Sequence, residues 1–324
     1  MADRGLVDLM IGRIPRLSPV ERVRVCVHCN QEADLFGLSK RAMEILVGRS
    51  LDQRWDLDAL YTQAERDATV ARMWGIGYVA YVSPQYPPLL REIYDPPAIL
   101  FYRGQLPNPE LPIVGIIGTR HPSAAALTQA YNMAKDLAHM GIPVIAGLAL
   151  GIDGMAHRGN SDGGAPTIAV LGSGLDEVYP AGNRLLARRI IEQGGVLLSE
   201  YPPGTSPRKW HFPARNRIIS ALARGTVIVE APESSGALIT ARFVLEQGRD
   251  LWVASAGIDS PQGAGTRKLV TEGAKVISSA AEILKEWDIT PKEAPRQPLP
   301  EGEFSVSAWT ASLAHTLHLG YEDR

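Results

Sequence analysis

This 324-residue chain lacks an excess of either charge: 33 Lys+Arg stand against 35 Asp+Glu, a formal net charge of -2. That excludes blanket polyanion binding and confines any nucleic-acid contact to a local patch. Cysteine is scarce, with only Cys26 and Cys29, so no disulfide framework is implied. The two form a lone C-V-H-C around His28, and no second ligand pair follows at zinc-site spacing. Thiols at i and i+3 of a helix that faces a core account for them better. Nowhere do about 18 apolar residues run together as a membrane span requires. The N-terminal stretch MADRGLVDLMIGRIPRLSP has no uninterrupted apolar segment of the signal-peptide kind, which predicts a cytoplasmic protein.

The common catalytic signatures are missing as well. There is no G-x-x-x-x-G-K-[ST], no nucleophile elbow and no H-E-x-x-H. The turns Gly118-Thr119-Arg120 and Gly172-Ser173-Gly174 follow apolar runs, but neither extends to G-x-G-x-x-G with an acidic residue about 20 positions on, so a dinucleotide is not supported. Asp153 and His157 stand one helical turn apart in G-I-D-G-M-A-H. Two readings stay open for them: a carboxylate orienting an imidazole for acid/base work, or a helix cap beside a packed histidine. The spacing favours the second.

What the chain does contain is a change of rhythm. Residues 1–75 show apolar positions at helical spacing with Gly closing the periodic stretches, predicting a small all-helical domain. Residues 78–112 are dense in Pro and aromatics, which suits a connector with one or two short strands. From Ile113 on, the short apolar runs IVGII, PVIAG, TIAVLG, GVLLSE, TVIVEA, DLWVASA and KVI alternate with helical segments. Strands with no polar alternation, interleaved with helices, predict a doubly wound α/β domain over residues 76–287, its mostly parallel sheet covered on both faces. Residues 288–324 turn Pro-rich and polar and then close on a short segment that holds some apolar residues, read as a linker and one docking or fraying helix.

Ligands of such sheets bind at the carboxyl ends of the strands. The loop there that departs most from the neutral background is RKWHFPARNRIISALAR, residues 208–224, with Arg208, Lys209, Arg215, Arg217 and Arg224, two aromatics and no acid. Cations beside ring faces are what single-stranded nucleic acid needs for its phosphates and unpaired bases. Phe212-Pro213 reads as a helix start, placing Arg215 and Asn216 at an N-terminus whose dipole favours anions. The competing reading pairs the arginines with Glu200 and Glu230 across the strand ends. Ser234-Ser235-Gly236 and Thr240 look like a second, hydroxyl-lined anion seat.

Taken in order, YPPLLREIYDPPAILFYRG, the G-T-R turn, AGLALGIDGMAH, TIAVLGSGLDEVYPAGN, LLSEYPPGTSPRKWHFPARNRIIS and VEAPESSGALITA resemble the bacterial DNA-processing protein A family over about residues 80–280. The resemblance implies an extended Rossmann-like domain that binds single-stranded DNA without sequence preference, dimerises, and helps load the RecA recombinase onto incoming DNA in natural transformation. It implies a helical N-terminal domain of the sterile-alpha-motif or helix-hairpin-helix sort, and it assigns no catalytic residue, metal or cofactor. By motif match the pocket would be lined by Arg120, Asn183, Arg184, Arg215, Asn216 and Arg217, with Gly118, Gly172, Ser173, Ser235 and Gly236 in close contact. Thr119, Gly174, Lys209 and Thr240 complete the expected DNA-binding set, and Tyr179, Trp210 and Phe212 are candidate stacking surfaces. Three departures stand out: Ser255-Ala256-Gly257 replaces the usual V-P-G, Gly265-Thr266-Arg267 replaces G-T-N, where the arginine suggests an added phosphate contact, and the tail is too short for a winged helix. The alternatives from other classes are a nucleotide-processing enzyme of the LOG (lysine-decarboxylase-like) type, whose P-G-G-x-G-T signature is missing here, and a scaffold whose basic patch grips an acidic partner protein.

Overall fold

The computed structural model describes residues 4–52 and 54–289; the predicted linker and final helix from residue 290 onward lie outside the described residues. Five helices come first: α1 (Val7–Arg13), α2 (Pro19–His28), α3 (Glu32–Phe36), α4 (Lys40–Val47) and α5 (Leu57–Trp74). Local chemistry sets their ends. Ser18 and Glu21 form a reciprocal capping box at α2, Ser39 and Asp56 accept backbone N–H groups at the starts of α4 and α5, and Gly48 and Gly75 end those two helices in the left-handed conformation. Cys26 and Cys29 are fully buried, and burial pushes both thiols up to about 11, so neither supplies a thiolate.

The remainder runs β1 (Gly77–Ala80), α6 (Pro88–Arg91), β2 (Ile99–Gly104), β3 (Val114–Ile117), α7 (Ala124–His139), β4 (Val144–Ala146), α8 (Ile152–Asp162), β5 (Ile168–Val170), a 3-10 turn (Ala181–Asn183), α9 (Arg184–Glu192) and β6 (Val196–Ser199). It continues through α10 (His211–Leu222), β7 (Gly225–Ile228), α11 (Gly236–Glu246), β8 (Asp250–Ala254), α12 (Ala256–Asp259), α13 (Ala264–Thr271), β9 (Lys275–Ile277) and α14 (Ala280–Glu286). The strands form one nine-stranded sheet in the order β1-β2-β6-β5-β4-β3-β7-β8-β9. Strands β3 to β9 pair in parallel, and the antiparallel pair β1 and β2 extends the β6 edge. Each of the seven apolar runs is one of these parallel strands.

Chain direction across the sheet reverses between β3 and β7, as right-handed crossovers require in a doubly wound sheet. One core packs α7, α8 and α14 against Val114, Val144, Val227 and Trp252. On the opposite face α10, α11 and α13 cover Ile145, Ile168, Ile228 and Val253. The third core is shared: helices α1 to α5 and α9 enclose Ile99, Phe101, Ala169 and Leu197, so the N-terminal helices are seated on the sheet rather than tethered beside it. Arg13 fixes that seat, pairing with buried Asp67 at 2.7 Å and donating to the Pro203 carbonyl at 2.6 Å in the β6–α10 loop.

Candidate functional site

Beneath the carboxyl rim of the sheet lies a buried clasp. Asp153, in the first turn of α8, accepts the Gly147 N–H at 2.9 Å and backbone N–H groups of Ala149 and Gly118, so one carboxylate gathers the exits of β3 and β4. Burial pushes its pKa up, and Arg215 together with those N–H groups opposes the rise. Arg215 donates to the carbonyls of Gly147, at 2.8 Å, and Val170. Burial pulls its pKa down to about 10, and Asp153 opposes the fall. Gly147 is glycine of necessity, because a Cβ there would stand 2.7 Å from the Arg215 guanidinium carbon. His157 is fully buried, and its Nδ1 lies 2.8 Å from Thr167 Oγ1, whose own proton goes to the Val144 carbonyl. Nδ1 is therefore the donor, the ring is neutral, and burial holds its pKa down at about 3. Asp153 and His157 are internal groups, and the capping-and-packing reading is the one their geometry fits.

Two expected phosphate ligands need correcting. α10 starts at His211, so Pro213 falls in its first turn, where a missing N–H costs nothing, and Arg215 and Arg217 sit further along, pointing inward. Arg217 has a side chain only 4% exposed and binds both oxygens of Glu200, at 2.7 and 2.8 Å, and Asp95 at 3.0 Å. Its pKa is driven up, with burial outweighed by Glu200. Arg215 and Arg217 are thus buried and bonded within the chain. Among the described residues Glu230 pairs with no arginine. Its buried carboxylate accepts the Ser123 N–H at 2.7 Å, the Ser123 hydroxyl and the Ser260 hydroxyl. The helix N-terminus at the switch point is occupied by the protein's own anion.

Several other expected contacts also bond within the chain. The Thr119 N–H is taken by the Glu230 carbonyl at 2.7 Å, and Gly118 is pressed against Ile152 and that same carbonyl. Ser173 is buried with its hydroxyl on the Gly174 and Glu177 carbonyls, and the Gly174 N–H is held by Thr205. Asn183 is buried and donates to Leu148 and Ala149, tying the 3-10 turn to the β4–α8 loop. Thr240 is buried and donates to the Gly236 carbonyl, as does the half-buried Asn216. Ser235 caps α11 through the Ala237 N–H, beside an open, exposed Gly236. Arg267 is exposed and donates twice, at 2.8 Å, to the carbonyls of Ile258 and Ser260, so it clamps its own loop.

What the rim presents to solvent is a strip of cations and rings. The Arg120 guanidinium lies 5.7 Å from the Phe212 ring centre, and Tyr179, 45% exposed, lies 5.5 Å from the same ring. Gly172 admits Phe212: a Cβ there would be 3.1 Å from the ring. Two residues back on the chain, Trp210 is 64% exposed with the Arg208 guanidinium 5.3 Å from its ring centre, and Lys209 is exposed between them. His211 anchors the group from below, donating to the Gly172 carbonyl at 3.0 Å and stacking on Tyr201 at 4.0 Å. Arg184, exposed, faces Glu177 at 3.7 Å next to the turn that Asn183 pins down. Sequence reasoning missed Arg208 as a ring partner and missed Asp95; the Y-D-P-P stretch carries the second, an acid fixed in a rigid turn.

Fold and rim together define a Rossmann-like protein with a strip of cations and rings at the carboxyl ends of a doubly wound sheet. The sequence model of the DNA recombination-mediator protein A family matches residues 77–288, and the chain belongs to that family. It is 40% identical over 232 residues to the DNA processing protein DprA of Bacillus subtilis, covering 71% of this chain and 78% of that one. Against protein Smf of Escherichia coli K12 it is 38% identical over 200 residues, 62% of this chain and 54% of the relative. The X-ray structure of DNA processing protein A from Streptococcus pneumoniae superposes with a TM-score of 0.71 at 30% identity, over 87% of this chain and 98% of that one. A structure of the Helicobacter pylori protein, described for its single-stranded DNA binding mode, superposes with a TM-score of 0.58 at 28% identity, over 66% of this chain and 96% of that one.

Proposed function

We propose that the chain binds single-stranded DNA, without sequence preference, across the rim strip, and acts as a mediator that helps load a RecA-type recombinase, turning nothing over itself. The observation that carries this reading is the alternation of exposed guanidinium groups and rings at Arg120, Tyr179, Trp210 and Arg208 around the half-buried Phe212. Cations held over rings leave the outer ring faces free for bases and the charges free for phosphates, and neither contact reads base edges. Arg120, Arg184, Arg208 and Lys209 make the phosphate contacts, with Asn216, Ser235 and Gly236 alongside. Arg215, Asp153, Asn183 and Ser173 act below them as positioning residues. The Helicobacter pylori relative supports the ligand class, since its structure is described for single-stranded DNA binding. The dimeric state, the recombinase contact and a cytoplasmic setting belong to the same proposal.

Fluorescence anisotropy with labelled oligo-dT, oligo-dC and duplex DNA tests it. The two single strands bind alike and more tightly than duplex, and Phe212→Ala and Trp210→Ala each weaken binding by roughly 1–3 kcal/mol. A preference for duplex, or full affinity in both aromatic variants, sinks the assignment. Incubation with nucleoside monophosphates in the same plate, followed for base release, bears on the nucleotide-processing alternative.

A further inference from the structure

The connector between β1 and β2 brings one more ring to the carboxyl rim. Strand β2 runs antiparallel to β6, with Phe101 opposite Ser199, so the turn that leads into β2, Tyr94-Asp95-Pro96-Pro97, lies at the carboxyl end of β6. Tyr94 is 90% exposed, more than any other tyrosine, tryptophan or phenylalanine among the described residues, and within that set its side chain makes no hydrogen bond or ring contact. Its backbone, by contrast, is held on both sides. Ile93 is buried in the core that α10 covers, and Asp95 is bonded to Arg217 through its carboxylate at 3.0 Å and its carbonyl at 3.1 Å. Pro96 and Pro97, both buried, stiffen the turn. A ring that faces solvent from so fixed a backbone loses little conformational freedom when a ligand covers it.

A continuous line of contacts joins this turn to the rim strip. Trp210 meets the His211 ring edge-on at 5.9 Å, His211 stacks on Tyr201, Tyr201 donates to Glu200, and Glu200 and Asp95 share Arg217. At the start of α10, Trp210, Ala214 and Arg217 stand at i, i+4 and i+7, on one stripe. Trp210 and Arg217 are thus about 10 Å apart along the axis, and a helical side chain leans toward the amino end, which brings Asp95 toward Trp210. Ala214, between them on the stripe, ends in a methyl group and raises no wall. The turn itself carries a ring and no cation.

We infer that Tyr94 is a further base-stacking residue: a single strand on the rim strip continues from Trp210 over the stripe of α10 and lays a base on Tyr94 at the end of β6. The inference rests on single-strand binding at the rim and extends the footprint of that site to the β1–β2 connector.

Anisotropy with a ladder of labelled oligo-dT lengths, on the full chain, tests it. Tyr94→Ala binds the shortest strands as the parent does and loses about 5- to 150-fold on strands long enough to pass Trp210, the range that one stacked base is worth. Tyr94→Trp keeps the parental affinity, whereas Tyr94→Leu, which retains apolar area and lacks the ring, loses it as the alanine variant does. The salt slope stays the parent's in all three, since no phosphate contact is removed. Irradiating the same ladder with 5-iododeoxyuridine in place of thymidine attaches the strand to Tyr94 in the long members. Parental affinity in Tyr94→Ala at every length, an equal loss at every length, a flattened salt slope, a leucine variant as good as the tryptophan one, or no attachment at Tyr94 overturns the inference. So does a change of oligomeric state in gel filtration in place of the affinity loss, which assigns the ring to a contact between copies. A parent chain that prefers duplex sinks the single-strand reading and this inference with it; weakened binding in Trp210→Ala but not in Tyr94→Ala sinks this inference alone.

Discussion

At the scale of single residues, the least evident outcome is that the most basic-looking motif is largely internal. Arg217, its own side chain 4% exposed, binds Glu200 and the partly exposed Asp95, so removing it leaves two carboxylates without their partner. Breaking a buried pair from one side costs about 3–5 kcal/mol, and Arg217→Met should lower the unfolding free energy read from urea melts by an amount in that range. At a temperature where the variant stays folded, its affinity for oligo-dT should keep the same salt dependence as the parent's. His157 gives a separate prediction. Burial, with the nearby Arg215 charge adding to it, holds its folded-state pKa at about 3, below the ordinary 6.5. The stability gained by keeping the ring neutral is fully present above 6.5 and drains away as pH falls from there toward 3. At pH 5 it is reduced by about 2 kcal/mol. His157→Asn keeps a donor to Thr167 and does not titrate, so the stability gap between parent and variant should narrow by about that amount between pH 7 and pH 5 in urea melts.

At the scale of elements, the sheet was plain in the sequence because strands buried on both faces carry no polar alternation, and all seven apolar runs from IVGII to KVI are parallel strands. Helix starts were less legible. Phe212-Pro213 reads as a boundary, yet α10 begins at His211, since proline is tolerated throughout a first helical turn. That shift of a few residues turns Arg215 and Arg217 from the solvent side to the sheet side. Which arginine is buried also depends on partners far along the chain: Asp95 lies 122 positions from Arg217, a pairing no local pattern encodes. Tyr179 and Trp210 were legible as candidate surfaces because exposed rings in rim loops have few structural uses, whereas Phe212 lies half-buried in the first turn of α10. The clasp between α8 and α10 yields a prediction at this scale. A methyl on Gly147 would meet the Arg215 guanidinium at 2.7 Å and part the ends of β4 and β5. Gly147→Ala should cost about 1–3 kcal/mol by overpacking and weaken oligo-dT binding without touching the ligand. Full affinity in a destabilised variant would show that rim and clasp are independent.

For the whole molecule, net charge says little about how strongly salt opposes binding, because only cations that meet phosphate displace counterions. The chain carries 33 Lys+Arg, but the rim strip exposes Arg120, Arg184, Arg208 and Lys209, and the glutamate facing Arg184 at 3.7 Å is itself exposed and displaceable. For single strands each phosphate contact contributes about 0.7 to the slope of log affinity against log salt, so one protomer should show a slope of roughly -3. Arg120→Ala and Lys209→Ala should each flatten it by about 0.7, and the double variant by about twice that, since the two side chains stand on different loops and share no partner. Arg217→Met should leave it unchanged, for the reason given by its burial. Measured by anisotropy across a salt series, a slope that falls in the Arg217 variant but not in the Arg120 and Lys209 variants would mean that the strand enters beneath the rim, opening the Glu200 pairing, rather than lying over it.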